Sequence, residues 1–590
     1  MAGDNNSKVD VSAEWDLRSH IVKKVKQYVH QHQYETALFW ADKAASLSHG
    51  DIEEVYWIAQ CLYLTGQYHR AVHAIKSRKF DKKDIACRYL ASKCHFECKE
   101  YQEALDVLDM IDFTAKTPNK HKKEESMVSE FDHGIPQSQL KGSMCLLRGK
   151  VYEAMNNRAL AAESYKEALQ VDVYCCEAFD LLVRHNMLTA KEEQALLESL
   201  PFEQQCQEGD LDLLKFLYRN KLNKFDKPNA PSQQPGVDAL HDNLDVVTNL
   251  AERHYYNCDF RTCYKITSEV LNVDPYHTQC LPIHIAALIE LKKSNALFYL
   301  AHKLVDMYPN QAVAWYAVGC YYLLIGKFEL ARRYFSKSAT LDRNYGPAWL
   351  AFGHAFAAEG EHDQATAAYF SASQIMRGCH LPMLYIGLEY GLTNNPKLAE
   401  KFFKQALSIA PEDPFVLHEM GVVAYHNHDW KTAFRYFSDA LRIVQVIGSE
   451  IMTEKWEPLL NNLGHVCRKM GNYDEALEYH QQALVLCPQN PSTYSAIGFI
   501  HSLKLNFAQA VDYFHKALGV KRDDTISVTM LADTIVLYID DIEPCEGGDI
   551  AEMEATFDIT KATTTTSKDE SRDDITSGPD STIEEVEMED

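Results

Sequence analysis

Residues able to do covalent or metal chemistry are abundant in this chain, with 25 histidines and 16 cysteines in 590 residues. A nucleophile needs a base within hydrogen-bond reach, and no serine or cysteine falls near a histidine in a pattern that suggests such a pair. No two cysteines are spaced as CxxC. Cys94 with Cys98, and Cys258 with Cys263, have spacings that a metal site could tolerate, but neither has a second matching pair nearby. The cysteines therefore read as reduced thiols, which points to an intracellular compartment. Gly326-Lys327-Phe328 lacks the Ser/Thr and the earlier glycine of a phosphate loop, and no GxGxxG follows a strand. The expectation is no catalytic residue, no metal and no cofactor.

What remains is recognition chemistry. Asn461, Asn462, His465 and Arg468, with Lys469 beside them, combine amide, imidazole and cationic groups over eight positions. Asn462 is the natural partner for a peptide backbone, because one amide side chain both donates and accepts. His418, Glu419, Val422 and Tyr425 precede this group, and Ser495, Phe499 and Ser502 follow it at equivalent places in a repeat. A polar and aromatic face of this kind suits an extended or helical peptide. His354, His418 and His465 read as groove or partly buried residues rather than bases, and a solvated face without a ligand stays open as the alternative.

These side chains share a face only if a periodic element places them there. From Val247 to Leu531 the chain repeats every 34 residues. Trp315, Gly319, Ala331 and Phe335 recur as Trp349, Gly353, Ala365 and Tyr369, then as Met383, Gly387, Ala399 and Phe403, then as Leu417, Gly421, Ala433 and Phe437. After nine extra residues the phase resumes at Leu460, Gly464, Ala476 and His480, and again at Tyr494, Gly498, Ala510 and Phe514. Pro275, Pro309, Pro411 and Pro488 fall between repeats, where a helix stops and no backbone donor is needed. This is the tetratricopeptide pattern of paired antiparallel helices. One pair cannot bury its apolar face alone, so the expected fold is an all-α superhelical solenoid with a concave groove.

Earlier in the chain, Ile21, Val25, Ala37 and Ala41, then Val55, Ala59 and Ala71, then Ala104, fit the same clock, and Gly149 with Ala161 and Tyr165 resumes it. The reading is a polar, disordered 1–14; a first arm over 15–222 with an inserted loop at 113–139; a proline-rich break at 223–236; a second arm over 237–540 that holds the groove; and a disordered tail over 541–590. Thr117-Pro118 is a candidate site for a proline-directed kinase. The net charge of −25 argues against nucleic acid, and the tail holds 17 acidic against 3 basic residues. No apolar run reaches the roughly 20 residues that a membrane helix needs, so no membrane partner is expected, and no secretory signal opens the chain.

Several segments carry a more specific likeness. Tyr34-ETALFWADKAASL-Ser48, Tyr56-WIAQCLYLTGQYHR-Ala71, Leu250-AERHYYNCD-Phe260, Gly378-CHLPMLYIGLEYGLTN-Asn395 and Lys455-WEPLLNNLGHVCRK-Met470 closely resemble the cell-division-cycle sixteen subunits of the anaphase-promoting complex. The resemblance covers about residues 15–535. It implies a scaffold subunit of a ubiquitin ligase acting in mitosis. By the same resemblance, the N-terminal repeats form a homodimer, the C-terminal groove holds the N-terminal segment of a small, otherwise disordered subunit, and other tetratricopeptide subunits stack against the chain. It also implies residence in nucleus and cytoplasm, with spindle or centrosome association. The loop at 113–139 and the acidic tail depart from the family, so phosphorylation sites are not carried over to them. A chaperone-type adaptor would need lysine, asparagine and arginine converging from adjacent repeats, of which only the Leu460 repeat offers part. A glycosyl-transfer enzyme would need a catalytic domain after the repeats, where only the acidic tail follows.

Overall fold

Among the described residues, seven helix pairs lay a ring of the second helix on a bare glycine of the first. The computed structural model describes residues 5–109, 137–207, 209–222, 240, 242–447 and 454–541, and among these every regular element is helical. In helix Ala312–Leu324, a β-carbon built on Gly319 would lie 2.5 Å from Cε1 of Phe335, which stands on the following helix Phe328–Leu341. The same ring-on-glycine contact recurs at Gly149 with Tyr165, Gly353 with Tyr369, Gly387 with Phe403, Gly421 with Phe437, Gly464 with His480 and Gly498 with Phe514, at 2.3–3.0 Å. Any side chain at these glycines would have to displace a buried ring. The alanines of the same clock, from Ala331 and Ala365 through Ala510, are fully buried. Glycine and alanine thus let the two helices of a pair approach, and the ring fills the space between them.

The turns within pairs are short because one residue takes a left-handed backbone. Gly326, Gly360 and Gly471 do so without a steric penalty, while His32, Asn156 and Leu505 do so with a β-carbon. Between pairs the prolines have a second use. The indole nitrogen of Trp315 donates to the Pro309 carbonyl at 2.7 Å, and the hydroxyl of Tyr494 donates to the Pro488 carbonyl at 3.1 Å. Trp349 makes the same bond to Arg343 at 3.1 Å. The large residue that opens a repeat therefore satisfies a carbonyl six positions earlier, where the preceding helix has ended. Proline also begins the inner helices Pro414–His426 and Pro491–Leu503, with Asp413 and Asn490 accepting from the backbone NH two residues on.

The described residues fall into two compact units, with the division between Pro382 and Met383 and with Asn257–Asp259 joining the second unit. The proline-rich break expected at 223–236 lies outside the described residues. Within the first unit, Gly378 NH donates to the carbonyl of Asn186 at 2.8 Å, and a β-carbon on Gly378 would sit 2.1 Å from the Leu188 carbonyl oxygen. Residues nearly two hundred positions apart are thereby in backbone contact, which periodicity alone does not reveal. The first helix spans Asn5–His30, so it begins ahead of the expected boundary at residue 15. Helix Gln137–Ala154 likewise takes in the end of the loop expected at 113–139, whose remainder through residue 136 lies outside the described residues, as do Thr117 and the tail after Asp541. No helix among the described residues is long and apolar enough to cross a membrane.

Two glycine-to-alanine substitutions separate the clasp from ordinary helix propensity. Gly353→Ala is expected to lower stability by about 1–3 kcal/mol through overpacking against Tyr369. Gly391→Ala, where nothing lies within 4 Å of the added carbon, is expected to be neutral or to stabilise by up to about 1 kcal/mol. Chemical denaturation of both variants checks the pair.

Candidate functional site

The candidate groove is carried by three inner helices of the second unit, Pro414–His426, Glu457–Met470 and Pro491–Leu503. Two neighbouring residues of the middle helix separate its two roles. Asn461 works inside the helix stack: its amide donates to Glu457 and, at 2.8 Å, to the hydroxyl of Thr493, while its carbonyl accepts from Nδ1 of His480 at 2.9 Å. Glu457 also accepts from Asn490 at 2.9 Å and from Thr493 at 3.1 Å. Asn461, expected on the groove, is thus a link between repeats. Ser495 is another, since it joins Ser527 and Asp524 at the start of the last described helix. Glu457, Thr493 and His480 escaped sequence reasoning; the signal was the histidine at a position where the other repeats carry Phe or Tyr.

Asn462 lies on a different side of the helix. Its amide nitrogen is 3.0 Å from Nε2 of His418, and Nδ1 of His418 is 2.8 Å from the carboxylate of Glu419. Since the amide NH2 can only donate, Nε2 accepts and the proton of His418 sits on Nδ1, facing the carboxylate. Asn462 is fully buried and His418 nearly so. Val422 and Tyr425 are buried too, packed in one apolar cluster with Phe437, Leu459 and Leu463. These four residues therefore form a floor rather than an open polar surface.

Above that floor stand the cationic and aromatic groups. The guanidinium of half-buried Arg468 lies 4.9 Å from the ring centroid of Phe499, and Nζ of exposed Lys469 lies 5.7 Å from that of Trp430. Tyr425 meets Trp430 edge-on at 4.8 Å. Among the described residues no carboxylate pairs with Arg468, whose pKa is lowered by burial. A stacked, partly desolvated guanidinium without a carboxylate offers its donors to an incoming carbonyl or carboxylate. Ser502 is half-buried at the end of the third helix. His465 is buried and packs edge-on against His480 at 5.0 Å. Neither His465 Nδ1 nor His480 Nε2 has a hydrogen-bond partner among the described residues.

The chain is similar to subunits of the anaphase-promoting complex. The family model described as anaphase-promoting complex, cyclosome, subunit 3 matches residues 30–111, and tetratricopeptide-repeat models match 142–172, 312–345, 385–413 and 458–490. Over 541 residues the chain is 62% identical to the human cell division cycle protein 16 homolog, covering 91% of this chain and 87% of that protein. It is 37% identical over 530 residues to anaphase-promoting complex subunit 6 of Arabidopsis thaliana, covering 86% and 94%. The crystal structure of the APC/C hetero-tetramer Cut9-Hcn1 contains a chain that matches with a TM-score of 0.74 and 32% identity, over 88% of this chain and 96% of that one.

Two buried histidines, His465 and His480, tie stability to pH. Burial pushes the pKa of His480 down to about 3, helped by Arg468, and holds that of His465 well below the usual range. Both therefore take up a proton more readily in the unfolded chain, so the stability present above the unfolded pKa, near 6.5, is lost as pH falls below it. One such histidine costs about 1.4 kcal/mol at a pH one unit below its unfolded pKa. His480→Phe, which restores the ring of the other repeats, should reduce the loss between pH 7.5 and 5.5 by that amount while weakening the fold at pH 7.5 by stripping Asn461 of a donor. Denaturation curves of both proteins at the two pH values measure this.

Proposed function

The chain belongs to the family of anaphase-promoting complex subunit 6, the cell division cycle protein 16 homologues, and we propose that it is a non-catalytic scaffold of that ubiquitin ligase. In this reading it pairs with a second copy through its N-terminal repeats. The groove on helices Pro414–His426, Glu457–Met470 and Pro491–Leu503 holds the N-terminal segment of a small partner, and other tetratricopeptide subunits flank it in nucleus and cytoplasm.

The observation that carries the groove reading is Arg468: half-buried, stacked on Phe499, and without a carboxylate among the described residues. Asn462 and His418 support it from beneath, because their mutual hydrogen bond fixes the floor on which a segment would lie. The relation to a chain of the Cut9-Hcn1 hetero-tetramer adds that a protein of this fold assembles with a second, different protein. Self-association draws support from the first helices, where Leu17, Phe39 and Trp40 are large, apolar and exposed.

Calorimetric titration of the full chain with a peptide copied from the small subunit's N-terminus tests the groove. Arg468→Ala should lose about 1.5–3 kcal/mol, the worth of hydrogen bonds to a charged group, or roughly 10- to 150-fold in Kd. Glu478→Ala, at an exposed position on the outer helix Tyr473–Leu486, should bind as the wild type does. Equal affinity of wild type and Arg468→Ala would remove the groove assignment. Light scattering that found a strict monomer at tens of micromolar would remove the dimer.

A further inference from the structure

A second polar cluster lies in the first unit, away from the groove. Its residues come from two places in the sequence, His69 and the turn Cys98–Glu100. His69 stands on helix Tyr68–Lys76, Cys98 closes helix Ile85–Glu97, and Glu100 opens helix Tyr101–Leu108. Nδ1 of His69 lies 4.0 Å from Sγ of Cys98 and 3.8 Å from Oε1 of Glu100, and the three atoms are mutually within 4.8 Å. The spacing rule that set Cys94 and Cys98 aside compares cysteines along the chain, so it misses ligands that the helix packing brings together.

The carboxylate is held in place by a buried support. The other oxygen of Glu100 accepts from Nδ1 of His95 at 2.7 Å, and Nε2 of His95 faces Nζ of Lys76 at 2.8 Å. An ammonium can only donate, so Nε2 is the acceptor and the proton of His95 sits on Nδ1, directed at the carboxylate. His95 is 3% exposed. One oxygen of Glu100 is thus fixed from below, while the other is presented to His69 and Cys98. Glu103 lies 3.3 Å from the same nitrogen of His95 and adds negative potential. A ligand carboxylate oriented by a buried histidine is the kind of outer support that metal sites use.

We propose that His69, Cys98 and Glu100 form a binding site for a zinc-like divalent ion, with His95 as the positioning residue for Glu100. The donor set selects the ion: thiolate and imidazole suit zinc, whereas calcium and magnesium require oxygen ligands. Bond lengths of about 2.0 Å to nitrogen and oxygen and about 2.3 Å to sulfur place tetrahedral ligand atoms roughly 3.3–3.5 Å apart, so His69 must close on its two partners by about half an ångström. His69 is three-quarters exposed and free to make that adjustment. Three protein ligands leave a fourth tetrahedral position for water.

Cobalt(II) is the probe, because a thiolate bound to it gives a charge-transfer band in the near ultraviolet. The full chain, stripped with a chelator, is titrated with cobalt(II), and zinc(II) is then used to displace it. The expected result is one equivalent of thiolate-bound cobalt, displaced by zinc. Cys98→Ala should abolish the band. His69→Ala, at an exposed position that folding tolerates, should weaken binding at least 10-fold. His95→Gln should keep the band but weaken binding by about 10- to 100-fold, and Cys176→Ala, an exposed thiol elsewhere, should change nothing. A band that survives Cys98→Ala, or equal affinity in wild type and His69→Ala, overturns the proposal.

Discussion

The contact on which this protein depends is a ring lying on a bare α-carbon. Seven times among the described residues a glycine on an inner helix receives the ring of a residue sixteen positions later, with an added β-carbon only 2.3–3.0 Å from that ring. That contact sets how closely the two helices of a pair approach, and a fully buried alanine on the second helix completes it. Neither partner is useful alone. A ring without the glycine would push the helices apart, and a glycine without the ring would leave a void costing about 24 cal/mol per Å³ of unfilled volume. Because each pair buries its outer faces only against the next, the clasp also sets the spacing of the stack and so the positions of the inner side chains.

One repeat modifies the contact. His480 fills the ring position over Gly464 but brings a polar nitrogen, and the structure answers it with Asn461, Thr493 and Glu457. The middle helix of the groove is thereby tied to its neighbours by a buried hydrogen-bond network in addition to apolar packing. Buried networks of this type raise the cost of small displacements, since every broken bond leaves a polar group unsatisfied in a medium of low dielectric. The groove residues Asn462, His418 and Arg468 stand on or beside this stiffened repeat, where conformational entropy lost on binding a segment is reduced in advance.

The repeat was legible in the sequence because its chemistry is unambiguous: only glycine and alanine allow the approach, and only a large ring fills it. The same clarity did not extend to which of two adjacent residues faces the groove. Asn461 and Asn462 are about 100° apart on the helix, and a period of 34 residues does not fix that angle closely enough to separate a repeat-to-repeat link from the groove floor. Ser495 failed for the same reason. Long-range closure was also hidden, for nothing in the composition of Asn186 or Gly378 announces their backbone contact. Nor does any periodic signal report that residues 260–382 group with the N-terminal repeats in one compact unit. The cluster at His69, Cys98 and Glu100 was invisible because packing, and not spacing, brings His69 to the other two.

The central claim, that the clasped inner helices of the second unit present a binding surface for a partner's segment, is tested most directly by hydrogen exchange on the full chain with and without the small partner. The expected result is slowed exchange concentrated in Pro414–His426, Glu457–Met470 and Pro491–Leu503, with the outer helices Trp430–Ile447 and Tyr473–Leu486 unchanged. Protection confined to the outer helices, or none in the second unit while the partner is bound, would contradict it.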